Sequence, residues 1–145
     1  MIAYADTSFL ASLYGTDANS LQAAHHVETL RPTFAITPFG ELEFITAFEA
    51  LAFRKLLSVD ELDESMQAFR ADLAMGVLTC KPVPPTAFPR AIVLSKLYTR
   101  TLGCRTLDIL QVAIGLELGA DVFFTFDKDQ AKLARRAGLT VRPRR

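Results

Sequence analysis

The sequence predicts an α/β fold in which a central parallel sheet is covered by helices. Short strand-like runs alternate along the chain with stretches whose apolar residues recur every three or four positions. This alternation is typical of parallel sheets, because each crossover needs a helix. The strand-like runs are IAYA (2–5), FAIT (34–37), GVLTC (76–80) and DVFFTF (121–126). With 145 residues, of which 50% are hydrophobic, we expect one domain that spans residues 1–145.

The helices follow the strands in a regular order, with one departure between the second and third strands. Two long helical stretches occupy 38–57 and 58–76, and Ser58 is a favourable N-cap for the second because Glu61 follows three residues later. These stretches predict a helical hairpin inserted between two strands. The proline-rich segment 81–89 is too short and too close to apolar neighbours to be an interdomain linker.

Charge and composition exclude several classes of protein. The 16 basic and 16 acidic residues cancel, and only the stretch 132–145 is visibly basic. Cys80 and Cys104 have neither the spacing of a metal site nor the density of a disulfide scaffold, and residues 1–20 lack the features of a signal peptide. No apolar run approaches the roughly 20 residues of a membrane span. We therefore expect a cytoplasmic protein in a reducing compartment, with no membrane contact.

Four separate segments bring a carboxylate to the edge of the sheet where its strands end. Asp6 follows the first strand, and Glu41 lies in the first turn after FAIT, behind Thr37 and Pro38. Asp108 begins a helix, and Asp127 follows the last predicted strand. Because α/β folds bind ligands at this carboxyl edge, the four side chains are expected to share a site.

Each acid also has a structural interpretation. Aspartate is a favoured N-cap, and acids in the first turn of a helix are stabilised by the helix dipole. These local roles alone would explain Asp6 and Asp127. At Asp127, Gln130 would complete a capping box. Glu41 is harder to explain in this way, since it shares a helical stripe with Ile45 and Phe48, whereas Glu43 is expected to be solvated. A carboxylate on a buried stripe is costly unless something pairs with it.

Asp108 begins a helix that is apolar on two sides, TLDILQVAIGLELG. Its only polar strip consists of Asp108, Gln111 and Gly115. This pattern predicts a helix in the middle of the domain whose acid is directed at a specific partner.

The compensating partner is expected to be a divalent cation. Clustered carboxylates raise one another's pKa values unless a cation is present. Oxygen ligands suit Mg²⁺ or Mn²⁺, which can activate water and stabilise charge as a phosphodiester is cut. Ser8, two residues after Asp6, is expected to steady the carboxylate or a bound water.

Four motifs, in this order and spacing, resemble the acidic regions of the PIN-domain nucleases, and in particular the VapC-type toxins of bacterial toxin–antitoxin pairs. They are YADTSFL (4–10), TPFGELEF (37–44), RTLDILQVAIGLELGAD (105–121) and FFTFDKDQAKLA (123–134). Together they span nearly the whole chain.

The resemblance implies a three-layer α/β/α PIN-like fold and a metal-dependent ribonuclease, commonly dimeric and inhibited by an antitoxin. By position, Asp6, Glu41, Asp108 and Asp127 would be the catalytic and metal-binding acids, with Ser8 and Thr125 as supporting neighbours. The implied cofactor is Mg²⁺ or Mn²⁺, and the implied partners are RNA, a cognate antitoxin and a second copy of the chain. Gln111 and Gln130 depart from the family pattern, in which a histidine and an aromatic residue are common.

Other interpretations remain open from the sequence. A PIN nuclease that is not a toxin, or a catalytically inactive PIN module that only binds a partner, would carry the same four segments. A receiver-type regulatory domain is disfavoured because Asp6 is a single acid and GVLTCKPV contains none. A haloacid-dehalogenase site is disfavoured because Ser8 stands where a second aspartate is required.

Overall fold

The computed structural model describes residues 1–144 and has a five-stranded, fully parallel sheet within that range. Its strands are β1 (Ile2–Ala5), β2 (Thr33–Ile36), β3 (Leu78–Cys80), β4 (Val122–Phe124) and β5 (Val141–Arg142). The strand order is β3-β2-β1-β4-β5. The predicted parallel sheet is confirmed, and β5, which was not predicted, adds an edge strand within the basic stretch. Arg145, the last residue of that stretch, lies outside the described residues.

Helices cover both faces of the sheet, so the predicted three-layer α/β/α architecture is confirmed. The helices are α1 (Thr7–Tyr14), α2 (Ser20–Leu30), α3 (Pro38–Phe53), α4 (Val59–Met75), α5 (Ala87–Leu102), α6 (Thr106–Glu117) and α7 (Lys128–Arg136). One core lies mainly under α1 to α4 and the other under α5 to α7. The observed strand order also differs from the 2-1-3-4-5 order of receiver domains, which removes that alternative.

The central strand β1 contributes to both cores because successive side chains point to opposite faces. Ala3 and Ala5 belong to the core under α1 to α4, whereas Tyr4 belongs to the core under α5 to α7. Gly115 lets α6 pack closely on this second face, since a Cβ there would lie 3.1 Å from Cδ2 of Phe123. The α6 helix therefore lies in close contact with β4 at this position.

The predicted helical hairpin is present as α3 and α4. Ser58 and Glu61 form the expected reciprocal capping box at the start of α4. Phe44, Phe48 and Phe69 are buried and pack into the chain's own core, so the main apolar face of the hairpin is used internally. Phe53 at the end of α3 is 88% exposed.

Three helices begin at the carboxyl edge with a side-chain cap. Asp6 caps α1, Thr37 caps α3 and Asp127 caps α7. The backbone N–H of Asp6 donates to the carbonyl of Phe124 at 3.0 Å, which joins the ends of β1 and β4. Functional groups on these helix starts are thus held by the sheet itself. Among the described residues no helix is long and apolar enough to cross a membrane.

Candidate metal centre

An open cavity of about 290 Å³ lies at the carboxyl edge of the sheet. Three of the four predicted acids, Asp6, Asp108 and Asp127, line it, and the fourth carboxylate in its wall is Glu43. The remaining lining residues are Thr7, Ser8, Ala11, Gln111 and Gln130. The edge therefore gathers carboxylates from the end of β1, from α3 and α6, and from the start of α7 in one place.

Asp6 is the most buried of these acids, with 4% of its surface exposed. Its Oδ1 accepts hydrogen bonds from Ser8 Oγ at 2.7 Å and from the backbone N–H of Phe9 at 3.0 Å. Burial raises the pKa of Asp6 to about 6, although the bonds from Thr125, Ser8 and Phe9 favour the ionised form. The charge on Asp6 is therefore stabilised locally but remains costly.

Ser8 and Thr125 connect the two strands that carry Asp6 and Asp127. Their hydroxyl oxygens lie 3.1 Å apart, Ser8 Oγ accepts from the N–H of Phe126 at 2.9 Å, and Thr125 Oγ1 accepts from the N–H of Asp127 at 3.0 Å. These contacts fit the supporting role expected from the sequence, since they fix the backbone on either side of the acids.

Asp127 lies at the exposed rim of the cavity and caps α7. Its Oδ1 accepts from the N–H groups of Asp129 and Gln130, both at 2.9 Å. The predicted capping box is only half formed, because Oε1 of Gln130 is buried and has no hydrogen-bond partner among the described residues. The second carboxylate oxygen of Asp127 is not needed for the cap.

Asp108 is half buried in the first turn of α6. Burial raises its pKa, the carboxylate of Asp127 raises it further, and Arg105 at 3.9 Å opposes the rise. A smaller cavity of about 30 Å³ is lined by Asp108, Asp127 and Asp129, so Asp129 is an additional acid that the sequence analysis did not single out.

The predicted phase of α3 is wrong: Glu43, and not Glu41, reaches the cavity. Oε1 of Glu43 accepts from Thr7 Oγ1 at 3.0 Å and from Nε2 of Gln111. Among the described residues Glu41 does not line the acidic cavity. Burial raises the pKa of the Cys80 thiol on β3, and the Glu41 carboxylate raises it further. Since α3 carries apolar residues on nearly every side, its sequence pattern does not fix which face meets the sheet.

A hydrogen-bonded pair beneath the cavity was also missed from the sequence. Tyr4, fully buried, donates its hydroxyl to Oε1 of Gln111, which is only 2% exposed. Burial is the main cause of the raised pKa of Tyr4, and the carboxylates of Asp6 and Glu43 contribute, so the phenol stays protonated. The narrow polar strip on α6 set Gln111 apart from the apolar residues of the helix, but nothing in the sequence connected it to Tyr4.

The residues fit a divalent metal ion in ligand type and location. All four carboxylates offer the oxygen ligands that Mg²⁺ and Mn²⁺ prefer. In the part of the chain that the structure describes, no Lys, Arg or His forms an ion pair with Asp6, Glu43 or Asp127. No group of three or more His, Cys, Asp or Glu side chains in residues 1–144 is arranged to hold an ion as it stands. The edge therefore has suitable ligands without a preformed cage.

Comparison with known proteins agrees with this architecture. The PIN domain family model matches residues 3–136, and the chain belongs to this family. A comparison with curated protein sequences gives no significant match.

Several solved structures share the fold at low sequence identity. The Mycobacterium tuberculosis toxin VapC20, described as cleaving the sarcin–ricin loop, is 18% identical with a TM-score of 0.68, over 95% of this chain and 96% of that one. VapBC2 from Rickettsia felis, bound to a promoter DNA fragment, is 14% identical with a TM-score of 0.70, over 97% of each chain. VapBC-1 from nontypeable Haemophilus influenzae is 15% identical with a TM-score of 0.67, over 98% of this chain and 97% of that one.

Proposed function

We propose that this protein is a ribonuclease that depends on Mg²⁺ or Mn²⁺ and is the toxin of a type II toxin–antitoxin pair. The observation that carries the proposal is the convergence of Asp6, Glu43, Asp108 and Asp127 on one open cavity. Membership of the PIN domain family supports it, as does the fold shared with a toxin described as cleaving the sarcin–ricin loop. We expect the protein to act in the cytoplasm, on RNA.

The chain's own residues would hold the site in a defined geometry. Asp6 is fixed by Ser8 and the Phe9 amide, and Asp127 is fixed by the start of α7. Glu43 and Asp108 complete the ligand set from α3 and α6. The ion, when bound by these carboxylates, would supply an activated water and charge stabilisation for hydrolysis of a phosphodiester.

A substrate phosphate needs a positive group near this acidic edge. Arg105 is exposed, lies 3.9 Å from Asp108 and lines the adjoining small cavity. Arg100, exposed in the last turn of α5, precedes it. Both residues can contact an RNA backbone that enters the cavity from this side, and such contacts give affinity for any sequence.

An antitoxin helix is the proposed occupant of a groove beside the acids. A cavity of about 500 Å³ shares Thr7 and Glu43 with the acidic cavity and has a largely apolar wall. Its exposed apolar residues include Leu42 at 64% and Leu107 at 50% exposure. An amphipathic helix bound there could place a cationic side chain against the carboxylates, which would compete with metal and substrate.

A second copy of the chain is the proposed partner of α5. Phe88, Ile92, Val93 and Leu97 are each more than half exposed on this helix, which leaves an apolar surface of the kind that interfaces cover. We expect light scattering to give a dimer at micromolar concentration and Ile92→Glu to give a monomer. A wild-type monomer would contradict this part of the proposal.

The direct test of the proposed reaction is RNA cleavage by the purified protein. With Mg²⁺ or Mn²⁺ we expect cleavage that EDTA abolishes and added metal restores, and that Asp108→Asn suppresses. Glu49→Gln, at an exposed position of α3, is the matched control and should cleave like wild type.

Two results would redirect the proposal. Binding of RNA without cleavage under any metal condition would favour the inactive PIN module. Metal-dependent cleavage without growth arrest on expression, and without an upstream antitoxin-like reading frame, would favour a PIN nuclease that is not a toxin.

A further inference from the structure

A chain of hydrogen bonds runs from Tyr4 on β1, through Gln111 on α6, to Glu43 of α3 in the cavity. The Tyr4 phenol donates to Oε1 of Gln111. Nε2 of Gln111 then donates to Oε1 of Glu43. Tyr4 and Gln111 are at most 2% exposed, so water does not compete for the bond between them.

Both bonds in this chain have the same donor-to-acceptor direction. Because Tyr4 donates to the carbonyl oxygen of Gln111, the amide NH₂ group must be turned toward Glu43. An ionised carboxylate only accepts hydrogen bonds, so it is the natural end of such a chain.

The chain of hydrogen bonds ends on one carboxylate oxygen of Glu43 and leaves the other oxygen available to a ligand. Oε1 is held both by Gln111 and by Thr7 Oγ1 at 3.0 Å. Among residues 1–144, no hydrogen bond to Oε2 is found. The side chain is therefore fixed through one oxygen while the second can serve a ligand in the cavity.

Tyr4 is a rigid starting point for this arrangement. Its ring stacks on Phe123 with centroids 5.5 Å apart, and its backbone pairs with both neighbouring strands. Asp6 lies two residues further along the chain, directly after the same strand. The position of Glu43 on α3 is thereby tied to the position of Asp6 at the end of β1.

We propose that Tyr4 and Gln111 are positioning residues that hold Glu43 in its ligand-binding rotamer before a metal ion arrives. The inference rests on the proposed metal-dependent function and assigns a role to two side chains outside the set of acids. A flexible glutamate would have to be ordered when the ion binds, and ordering in advance removes that cost. Loss of either residue should therefore weaken metal binding without removing a ligand.

Glutamine suits position 111 because it combines an acceptor for Tyr4 with a donor for Glu43. Leucine offers neither group, so Gln111→Leu breaks both bonds. A neutral imidazole has one acceptor nitrogen and one donor nitrogen. Gln111→His can therefore rebuild the connection and serves as the rescue variant.

The test measures Mn²⁺ binding from the electron paramagnetic resonance signal of the free ion, alongside kcat and KM for RNA cleavage. We expect Tyr4→Phe and Gln111→Leu each to weaken Mn²⁺ binding by about fivefold to tenfold, the order of one lost hydrogen bond. Gln111→His should recover most of the loss. KM for RNA at saturating metal should change little. Tyr14→Phe is the matched control, because its partly buried hydroxyl donates to Asp72 at 2.6 Å on the opposite side of the sheet.

A double-mutant cycle separates positioning from general stability. In a Glu43→Gln background, Tyr4→Phe should cause no further loss of Mn²⁺ affinity, because the residue on which it acts is already changed. An equal loss in both backgrounds would overturn the inference, as would wild-type affinity in Tyr4→Phe. If wild type and Tyr14→Phe also fail to bind Mn²⁺, the proposed metal site itself is contradicted and the inference fails with it.

Discussion

Asp6 is a buried carboxylate whose surroundings favour binding of a cation. It is buried, accepts two hydrogen bonds on one oxygen and has a pKa raised to about 6 by burial. A carboxylate that served only as a helix cap would have no reason to lie so deep, since caps function well at the surface. The unfavourable charge is the strongest residue-level indication of a missing positive partner.

This charge predicts how stability depends on pH without metal. Between pH 4 and pH 6 the unfolded state loses a proton from Asp6 while the folded state retains it, so the free energy of unfolding should fall as pH rises through this range. Asp6→Asn keeps an oxygen acceptor and removes the charge. In EDTA at pH 7.5 it should stabilise the fold by on the order of 2 to 3 kcal/mol.

Urea unfolding at pH 7.5 and at pH 4 checks this, with exposed Asp63→Asn on α4 as the control. Most of this gain in stability should vanish at pH 4, where Asp6 is protonated in the folded state and about half protonated in the unfolded state. A variant less stable than wild type at pH 7.5 would mean that the ionised Asp6 is already compensated within the chain.

Three of the four acids could be predicted from the sequence because each is positioned by its own strand end or helix start. Asp6 and Asp127 directly follow β1 and the β4 region, and Asp108 lies in the first turn of α6. These are local relations in the chain. The contacts of Tyr4 with Gln111, and of Ser8 with Thr125, join residues 107 and 117 positions apart, and no local pattern encodes them.

At the scale of elements, α3 decides which glutamate enters the cavity. Its buried side consists of Gly40, Phe44 and Phe48, while Glu43 projects beside that side toward α1 and α6. From the sequence alone, the stripe through Glu41, Ile45 and Phe48 could equally be the buried side, because α3 carries apolar residues on nearly every side. Packing against the sheet, and not periodicity, selects the phase. The two-residue strand β5 was missed for a similar reason, since so short a strand has no period of its own.

The helix phase has a functional consequence that can be measured. Glu43→Gln should lower the rate of RNA cleavage by roughly a hundredfold, the order expected when a positioned charged group is removed from an active site. Glu41→Gln, two residues away on the same helix, should leave the rate nearly unchanged. Single-turnover kinetics decide between them, and the opposite ranking would show that the cavity lined by Glu43 is not the catalytic one.

At the scale of the whole molecule, net charge gives no guide to the RNA path because it is zero. The local arrangement is more informative, since Arg105 lines the small cavity beside Asp108 and Arg100 precedes it in the last turn of α5. The strand order that brings α3, α6 and α7 to one edge of β1 could not be predicted from composition or spacing. The resemblance of the four motifs implied the three α/β/α layers but not this strand order.

This arrangement predicts the salt dependence of RNA binding. Arg100→Ala with Arg105→Ala should weaken binding alike for all sequences and flatten the plot of log affinity against log salt by about 0.7 for each phosphate that the variant no longer neutralises. Arg70→Ala, on the exposed side of α4, should leave the slope unchanged. Fluorescence anisotropy with a catalytically inactive background supplies the measurement. An unchanged slope in the double variant would remove both arginines from the RNA path.

The central claim is that four carboxylates from separate elements form one divalent metal site, and calorimetric titration with Mn²⁺ tests it most directly. Wild type should bind the ion, and Asp6→Asn with Asp108→Asn should abolish binding. Asp63→Asn with Glu64→Gln, which removes the same charge from exposed positions on α4, should bind like wild type. Equal Mn²⁺ affinity in the wild type and the Asp6→Asn, Asp108→Asn protein would contradict the account.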